Sequence, residues 1–150
     1  MFFTLESLNS CVSISTSKWL ERNGTAKIFN IKSEAKEVEI DDTIEVDGVS
    51  YKVKTLGEGA LKNCKNATEV TLPSSLTKIE KGAFTGAKKV KTIKFDVKKS
   101  ITVQKGAFKG VNTEKMTIKV SKKMSDKEFA KFQKALDKAG YEGKVTRGLK

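Results

Sequence analysis

Lys81-Gly82-Ala83-Phe84-Thr85-Gly86-Ala87 reads KGAFTGA. The stretch returns as KGAFKGV at residues 105–111 and more loosely as EGALKNC at residues 58–64. Its alanines, Ala60, Ala83 and Ala107, stand 23 and 24 residues apart. A recurrence at that period marks a repeat architecture, in which each unit buries its apolar side only against its neighbours. The motif residues suit packing. A small alanine lets the chain pass close to the adjoining repeat, and Phe84 and Phe108, with Leu61 in the first copy, fill the space between successive coils. Gly82, Gly86, Gly106 and Gly110 permit tight turns at positive φ. Asn63 stands where Gly86 stands and is the next-best residue for that conformation. A phosphate-cradling loop would need another glycine spacing and a Lys-Ser/Thr before a helix.

Each motif is followed by a variable loop and then a short strand: residues 69–72 (EVTL), 92–95 (TIKF) and 117–120 (TIKV), with VEI at 38–40 in the same form. Alternation along a strand turns the flanking apolar residues inward and the middle one outward. A second short apolar element precedes each motif, at Thr55-Leu56, Lys78-Ile79 and Thr102-Val103. Pro73 stops the first full strand. Upstream, Asp47-Gly48 between two alternating runs predicts a hairpin.

The array has two ends. Residues 1–24 fit no repeat and are too irregular to assign to helix or strand, apart from one helical turn over residues 17–22. They read as an N-terminal cap or as a flexible tail. Residues 121–150 leave the pattern. Ser125 and Glu128 form a capping box, Phe129, Phe132, Leu136 and Ala139 share a helical face, and Gly140 ends the helix. A last strand over residues 141–145 is expected. The division is therefore 1–24 cap or tail, 25–120 solenoid and 121–150 helical cap.

The pattern from Leu56 to Leu76, LGEGALKNCKNATEVTLPSSL, continued by residues 79–95, resembles the BspA-like leucine-rich repeat of bacterial surface proteins. The copy at residues 103–120 departs from it by an extra residue. The resemblance covers roughly residues 36–140. It implies an α/β-type repeat, a short right-handed leucine-rich-repeat solenoid with a parallel β-sheet face, an irregular N-terminal cap and a C-terminal capping helix. It also implies a secreted or cell-surface location and binding of host or matrix macromolecules, a protein or glycan partner. The alternative is a purely structural spacer of a larger surface protein, and no enzymatic activity is expected.

Composition narrows the chemistry. The 150 residues are 37% hydrophobic and 32% charged, with a net charge of +12. Residues 1–48 carry 5 basic and 9 acidic side chains, whereas residues 49–150 carry 25 and 9. Only Arg22 and Arg147 are arginines, so bidentate phosphate or base recognition is disfavoured. The lysines cluster at Lys88-Lys89-x-Lys91, Lys98-Lys99 and Lys122-Lys123. They read as a solvated surface or as loose attraction to polyanions. No aromatic interleaves with them, which argues against single-strand nucleic-acid stacking, and a nucleic-acid partner is not expected. Histidine is absent, and the two cysteines, Cys11 and Cys64, are too few for a zinc site or a disulfide framework. Cys64 reads as a packing thiol, and a Cys11–Cys64 bridge has no support in the sequence. The acidic cluster Glu37, Glu39, Asp41, Asp42, Glu45 and Asp47 matches no calcium loop and reads as a solvated edge. No catalytic, cofactor or metal residue is assigned.

No stretch approaches the roughly 18 apolar residues of a membrane-spanning helix, and the N-terminus lacks the basic start of a signal peptide. The chain is then either intracellular or part of a longer one. Oligomeric state is not readable. The candidate partner-binding residues are those a stacked sheet would turn outward: Glu39, Thr71, Lys94 and Lys119, flanked by Glu69, Thr92 and Thr117. Their order runs from acidic to basic.

Overall fold

The computed structural model describes residues 3–6, 12–16, 23–28 and 30–149. Its strands are β1 (Phe3–Glu6), β2 (Val12–Thr16), β3 (Thr25–Ile28), β4 (Ile31–Ser33), β5 (Glu37–Glu39), β6 (Thr43–Val46), β7 (Val49–Leu56), β8 (Glu69–Leu72), β9 (Lys78–Ile79), β10 (Thr92–Phe95), β11 (Thr102–Val103), β12 (Thr117–Ser121) and β13 (Lys144–Leu149). A single helix, α1 (Asp126–Ala139), separates the last two strands. The chain is a short α/β repeat solenoid.

Each coil contributes to two sheets and one corner column. The long sheet has the order β13-β12-β10-β8-β5 and is parallel throughout. The sequence favours one sheet face, but the structure has a second. It has the order β11-β9-β7-β3, also parallel, with β6 added antiparallel to β7. The apolar dipeptides before each motif build it. They are too short to be stable alone and hold only because each lies beside its equivalent in the next coil. Ile28, Leu56, Ile79 and Val103 form its inner row. Val38, Val70, Ile93 and Ile118 form one inner row of the long sheet, and Ile40, Leu72, Phe95 and Val120 are buried beside them.

The third side is the column of KGAF-type corners. The Leu61 N–H donates to the Ala83 carbonyl at 3.1 Å, and the Phe84 N–H to the Ala107 carbonyl at 3.2 Å. The Gly59 N–H reaches the Gly82 carbonyl at 3.0 Å, and the Gly82 N–H the Gly106 carbonyl at 2.9 Å. Backbones this close leave room for only a methyl group between them, and Ala60, Ala83 and Ala107 are fully buried. The Phe84 and Phe108 rings stack in parallel, 4.8 Å between centroids. Gly86 has φ +92°, and a Cβ added there would lie 2.9 Å from the Lys62 carbonyl oxygen. Asn63 does not take the conformation expected of it. Asn30 does, at φ 58°, while Asn63 bridges in parallel to Lys32 and donates through Nδ2 to the Asn30 carboxamide oxygen. The preceding coil offers Asn63 a backbone partner, so no left-handed turn is needed there.

That preceding coil is the part of the array the motif conceals. The Ile31 N–H donates to the Ala60 carbonyl at 2.7 Å, as Leu61 does to Ala83. Ile31 therefore holds the corner position outside any Gly-Ala-Phe motif. The Asp47-Gly48 hairpin forms as predicted, with φ 52° and 77° joining β6 to β7.

Each end carries a cap. The N-terminal residues, unassignable from sequence, include β1 and β2, which extend β4 in an antiparallel sheet. The expected helical turn at residues 17–22, Cys11 and Phe29 fall outside the described residues. At the other end Ser125 caps α1, accepting the Glu128 N–H at 3.4 Å. Phe132, Leu136 and Ala139 are buried, and Phe129 is half-buried beneath the Arg147 guanidinium, 4.9 Å from its ring centroid. The capping box is only half realised. Glu128 turns instead to the neighbouring loop and accepts from the Ser100 N–H at 2.9 Å and its hydroxyl at 2.8 Å. Gly140 ends the helix at φ 85°. Tyr141 then joins the aromatic column, 5.1 Å from Phe108, and the Gly106 N–H donates to Ala139. The helix end thus occupies the corner place of a fifth coil, and β13 takes that coil's strand place.

Candidate functional site

The outer face of the long sheet collects the residues that alternation turns outward. In-register pairing aligns them into two rows. One is Glu37, Glu69, Thr92, Thr117 and Lys144, and the other is Glu39, Thr71, Lys94, Lys119 and Thr146. All seven residues expected on this face lie on it: Glu39, Thr71, Lys94, Lys119, Glu69, Thr92 and Thr117. Sequence reasoning missed three. Glu37 was legible only as part of an acidic cluster. Lys144 and Thr146 follow α1, and the helix breaks the spacing by which strands are counted.

Along the sheet the composition changes strand by strand. β5 presents two glutamates, β8 a glutamate and a threonine, β10 and β12 each a threonine and a lysine, and β13 a lysine and a threonine. The middle of the gradient is internally neutralised, because the Lys94 ammonium pairs with the Glu69 carboxylate across the diagonal of the sheet. Such half-exposed pairs contribute about 1 kcal/mol or less to stability. Their larger effect here is on the field, since the uncompensated charge moves to the two ends. Side chains on this face are spaced by the strands, about 4.8 Å apart. The result is a regularly spaced polar surface.

The lysine runs lie elsewhere. Lys88, Lys89, Lys91, Lys98, Lys99, Lys122 and Lys123 are all exposed. Lys89 donates to the Asn66 carboxamide at 3.2 Å. Lys98 and Lys99 join Lys54 around an open groove of about 430 Å³, with Ser75, Thr77 and Ile101 in its walls. One turn of the neighbouring loop is held by Asp42. Its carboxylate accepts from the Ser74 hydroxyl at 2.7 Å and from the Ser75 N–H at 3.1 Å. Burial pushes the Asp42 carboxyl up, but these hydrogen bonds outweigh it and hold the group below its ordinary value.

Groups that could do chemistry are put to structural use. Cys64 is free and fully buried, and its thiol lies 3.4 Å from the Ile31 carbonyl. Burial pushes its pKa to about 11, so little nucleophilic thiolate exists at neutral pH. The Tyr141 hydroxyl donates toward two carbonyl oxygens, Met116 at 2.9 Å and Lys144 at 3.0 Å. Its burial raises the phenol to about 12. Among the described residues no group of three or more acidic, Cys or His side chains could hold a metal ion.

Residues 25–137 match the family model described as a BspA-type leucine-rich repeat region of six copies. No curated protein matches the chain in sequence. Among solved structures, a leucine-rich repeat protein from Bacteroides ovatus is similar over 93% of this chain, at 19% identity and a TM-score of 0.51. This chain spans 40% of that protein's length, and the likeness is one of fold.

Proposed function

The chain belongs to the BspA-type leucine-rich repeat family, and on that premise we propose that it is a non-enzymatic, adhesion-type binding module of a bacterial surface, engaging a protein or glycan through the outer face of its long sheet. Repeats of this type are typical of surface proteins, and leucine-rich repeats generally mediate protein interactions. No helix among the described residues is long and apolar enough to cross a membrane. One observation carries the reading. The two outer rows of the long sheet are in register and regularly spaced, yet their chemistry changes from coil to coil. From β5 to β12 the inner rows remain aliphatic or aromatic. Variation confined to the exposed rows of a rigid scaffold is what recognition needs and packing does not.

The experiment is capture on the immobilised chain of a panel of matrix proteins and surface glycans, followed by charge reversal at Lys94 and Lys119. Reversal of these two charges is expected to weaken capture and slow association, since surface charges act mainly on encounter rate and orientation. Unchanged capture would sink this face as the binding site.

The groove lined by Lys54, Lys98 and Lys99 favours a second reading, weak attraction of an anionic glycan. Reversal at Lys98 and Lys99 separates the two, because only the second reading loses retention on heparin. Retention shared equally with DNA and abolished at moderate salt would indicate charge alone. If neither set of variants changes any capture, the module is a spacer.

A further inference from the structure

The two ends of the solenoid are closed unequally. At the start, β1 and β2 extend the corner side through β4, and β2 also contacts β3 in the second sheet. At the finish, Ala139 accepts the last corner N–H, and α1 packs beside β11. Corner and second sheet are thus covered at both ends. The long sheet is not. Among the described residues, β5 pairs only with β8 and β13 only with β12. Each leaves one strand edge with no strand beside it.

These two edges are complementary. They belong to one parallel sheet, so they have the same polarity, as successive strands of one sheet require. Carrying the register forward by one strand sets Lys144 beside Glu37 of a second copy, and Thr146 beside Glu39, because Glu37 and Lys144 stand in one row and Glu39 and Thr146 in the other. Glu37 and Lys144 are both exposed, and neither takes part in an ion pair within the described chain. Opposite charges directly across a strand pair attract, and like charges repel.

Charged edge strands usually serve to prevent pairing, and lysine is the common choice. That role calls for the same sign at both ends, since two like edges repel. Here one edge carries two carboxylates and the other a lysine, an arrangement that attracts a second copy in one orientation. We propose that this chain associates head to tail, the β13 edge of one copy pairing in parallel with the β5 edge of the next and continuing the long sheet. The contact is heterologous, so copies add in one direction, into an open array or, where the rotation closes, a ring. It is also small, confined to the three residues of β5 against the first residues of β13. Association is therefore weak and salt-sensitive, and it matters where copies are crowded or tethered together. The proposal does not depend on the ligand-binding reading of the sheet face.

The test is sedimentation velocity of the whole chain across a range of concentrations, at about 0.01 M and about 1 M salt, where charges are screened beyond roughly 30 Å and 3 Å. At low salt the mean mass is expected to rise above the 16.5 kDa monomer with concentration, and to return to it at high salt. Glu37→Lys alone and Lys144→Glu alone should each remain monomeric, with native circular dichroism. Mixed together, they regain association, because each then offers the charge the other lacks. The double variant regains it by itself. A wild-type mass fixed at the monomer at all concentrations overturns the proposal. So does association that survives both single substitutions, or a mixture that stays monomeric.

Discussion

The corner column and the outer face of the long sheet share one period and obey different rules. At the corner, Gly-Ala-Phe recurs almost unchanged, because the backbone of one coil hydrogen-bonds to that of the next and the rings stack between them. On the sheet, the same neighbours are held by strand pairing and by the buried inner rows, and side chains on the outer side are free to differ. Repetition of residues therefore reports contact between coils, and variation reports solvent. A chain with this architecture places its constancy where it can bind nothing and its diversity where a partner can reach.

The sharpest way to break this contrast is to remove a corner ring. Phe84 is fully buried and stacked on Phe108. Phe84→Ala deletes both the burial and the stack, with a loss of about 3–5 kcal/mol in urea denaturation. A loss below about 1 kcal/mol would mean the column is not what holds the coils together.

A finer test separates two causes within the same corner. Gly86 and Gly110 both have positive φ, +92° and +83°. An added Cβ at Gly86 would meet the Lys62 backbone at 2.9 Å, whereas at Gly110 nothing lies within 4 Å. Gly110→Ala should cost only the left-handed conformation, about 1–2 kcal/mol. Gly86→Ala should cost more, because the neighbouring coil must move as well. Equal midpoints in denaturant would assign the whole penalty to φ and none to close approach.

The same contrast explains what could be read from the sequence. The three KGAF-type corners, the four strands with one residue out, the Asp47-Gly48 hairpin and the helix between Ser125 and Gly140 were legible, because each is fixed by local chemistry. Seven of the ten outward residues of the long sheet were legible too, since strand alternation alone places them. What escaped was fixed by a neighbour instead. Ile31 occupies a corner through one hydrogen bond to Ala60, with no motif around it. Tyr141 continues the aromatic column after a helix has interrupted the repeat. β1 and β2 alternate apolar and polar residues over only four or five positions each, too short a run to assign until β4 lies beside them. Glu128 follows the rule for a capping box in sequence, but Ser100 from the adjoining coil offers it two donors.

That last exchange has a pH signature. Hydrogen bonds from the Ser100 backbone and hydroxyl, with Lys131 nearby, hold the Glu128 carboxyl down at about 2, against an ordinary 4.5. A carboxylate favoured by the folded state contributes stability above its unfolded pKa and loses it as pH falls through the folded one. The contribution of Glu128 is therefore intact above about 4.5 and fades toward pH 2. Glu128→Gln should be less stable than the parent at neutral pH, and the gap should narrow as the solution is acidified across that window. A gap constant from pH 7 to pH 2 would mean that Glu128 acts through packing of α1 and not through its charge.

The smallest expected effect lies on the outer face, and its smallness is the point. Lys119 is half-buried on β12 between Lys94 and Thr146 and takes part in no ion pair within the described chain. Lys119→Glu should shift the denaturation midpoint by no more than about 0.5 kcal/mol, the range of surface substitutions away from packing features. It nevertheless reverses a charge in the middle of the basic half of the sheet. If the face were maintained for stability, as the corner is, this substitution would register in the denaturation curve. If the face is maintained for recognition, the curve stays put and capture of a partner changes. A stable variant with altered capture thus separates the two halves of the molecule by function, where Phe84→Ala separates them by energy.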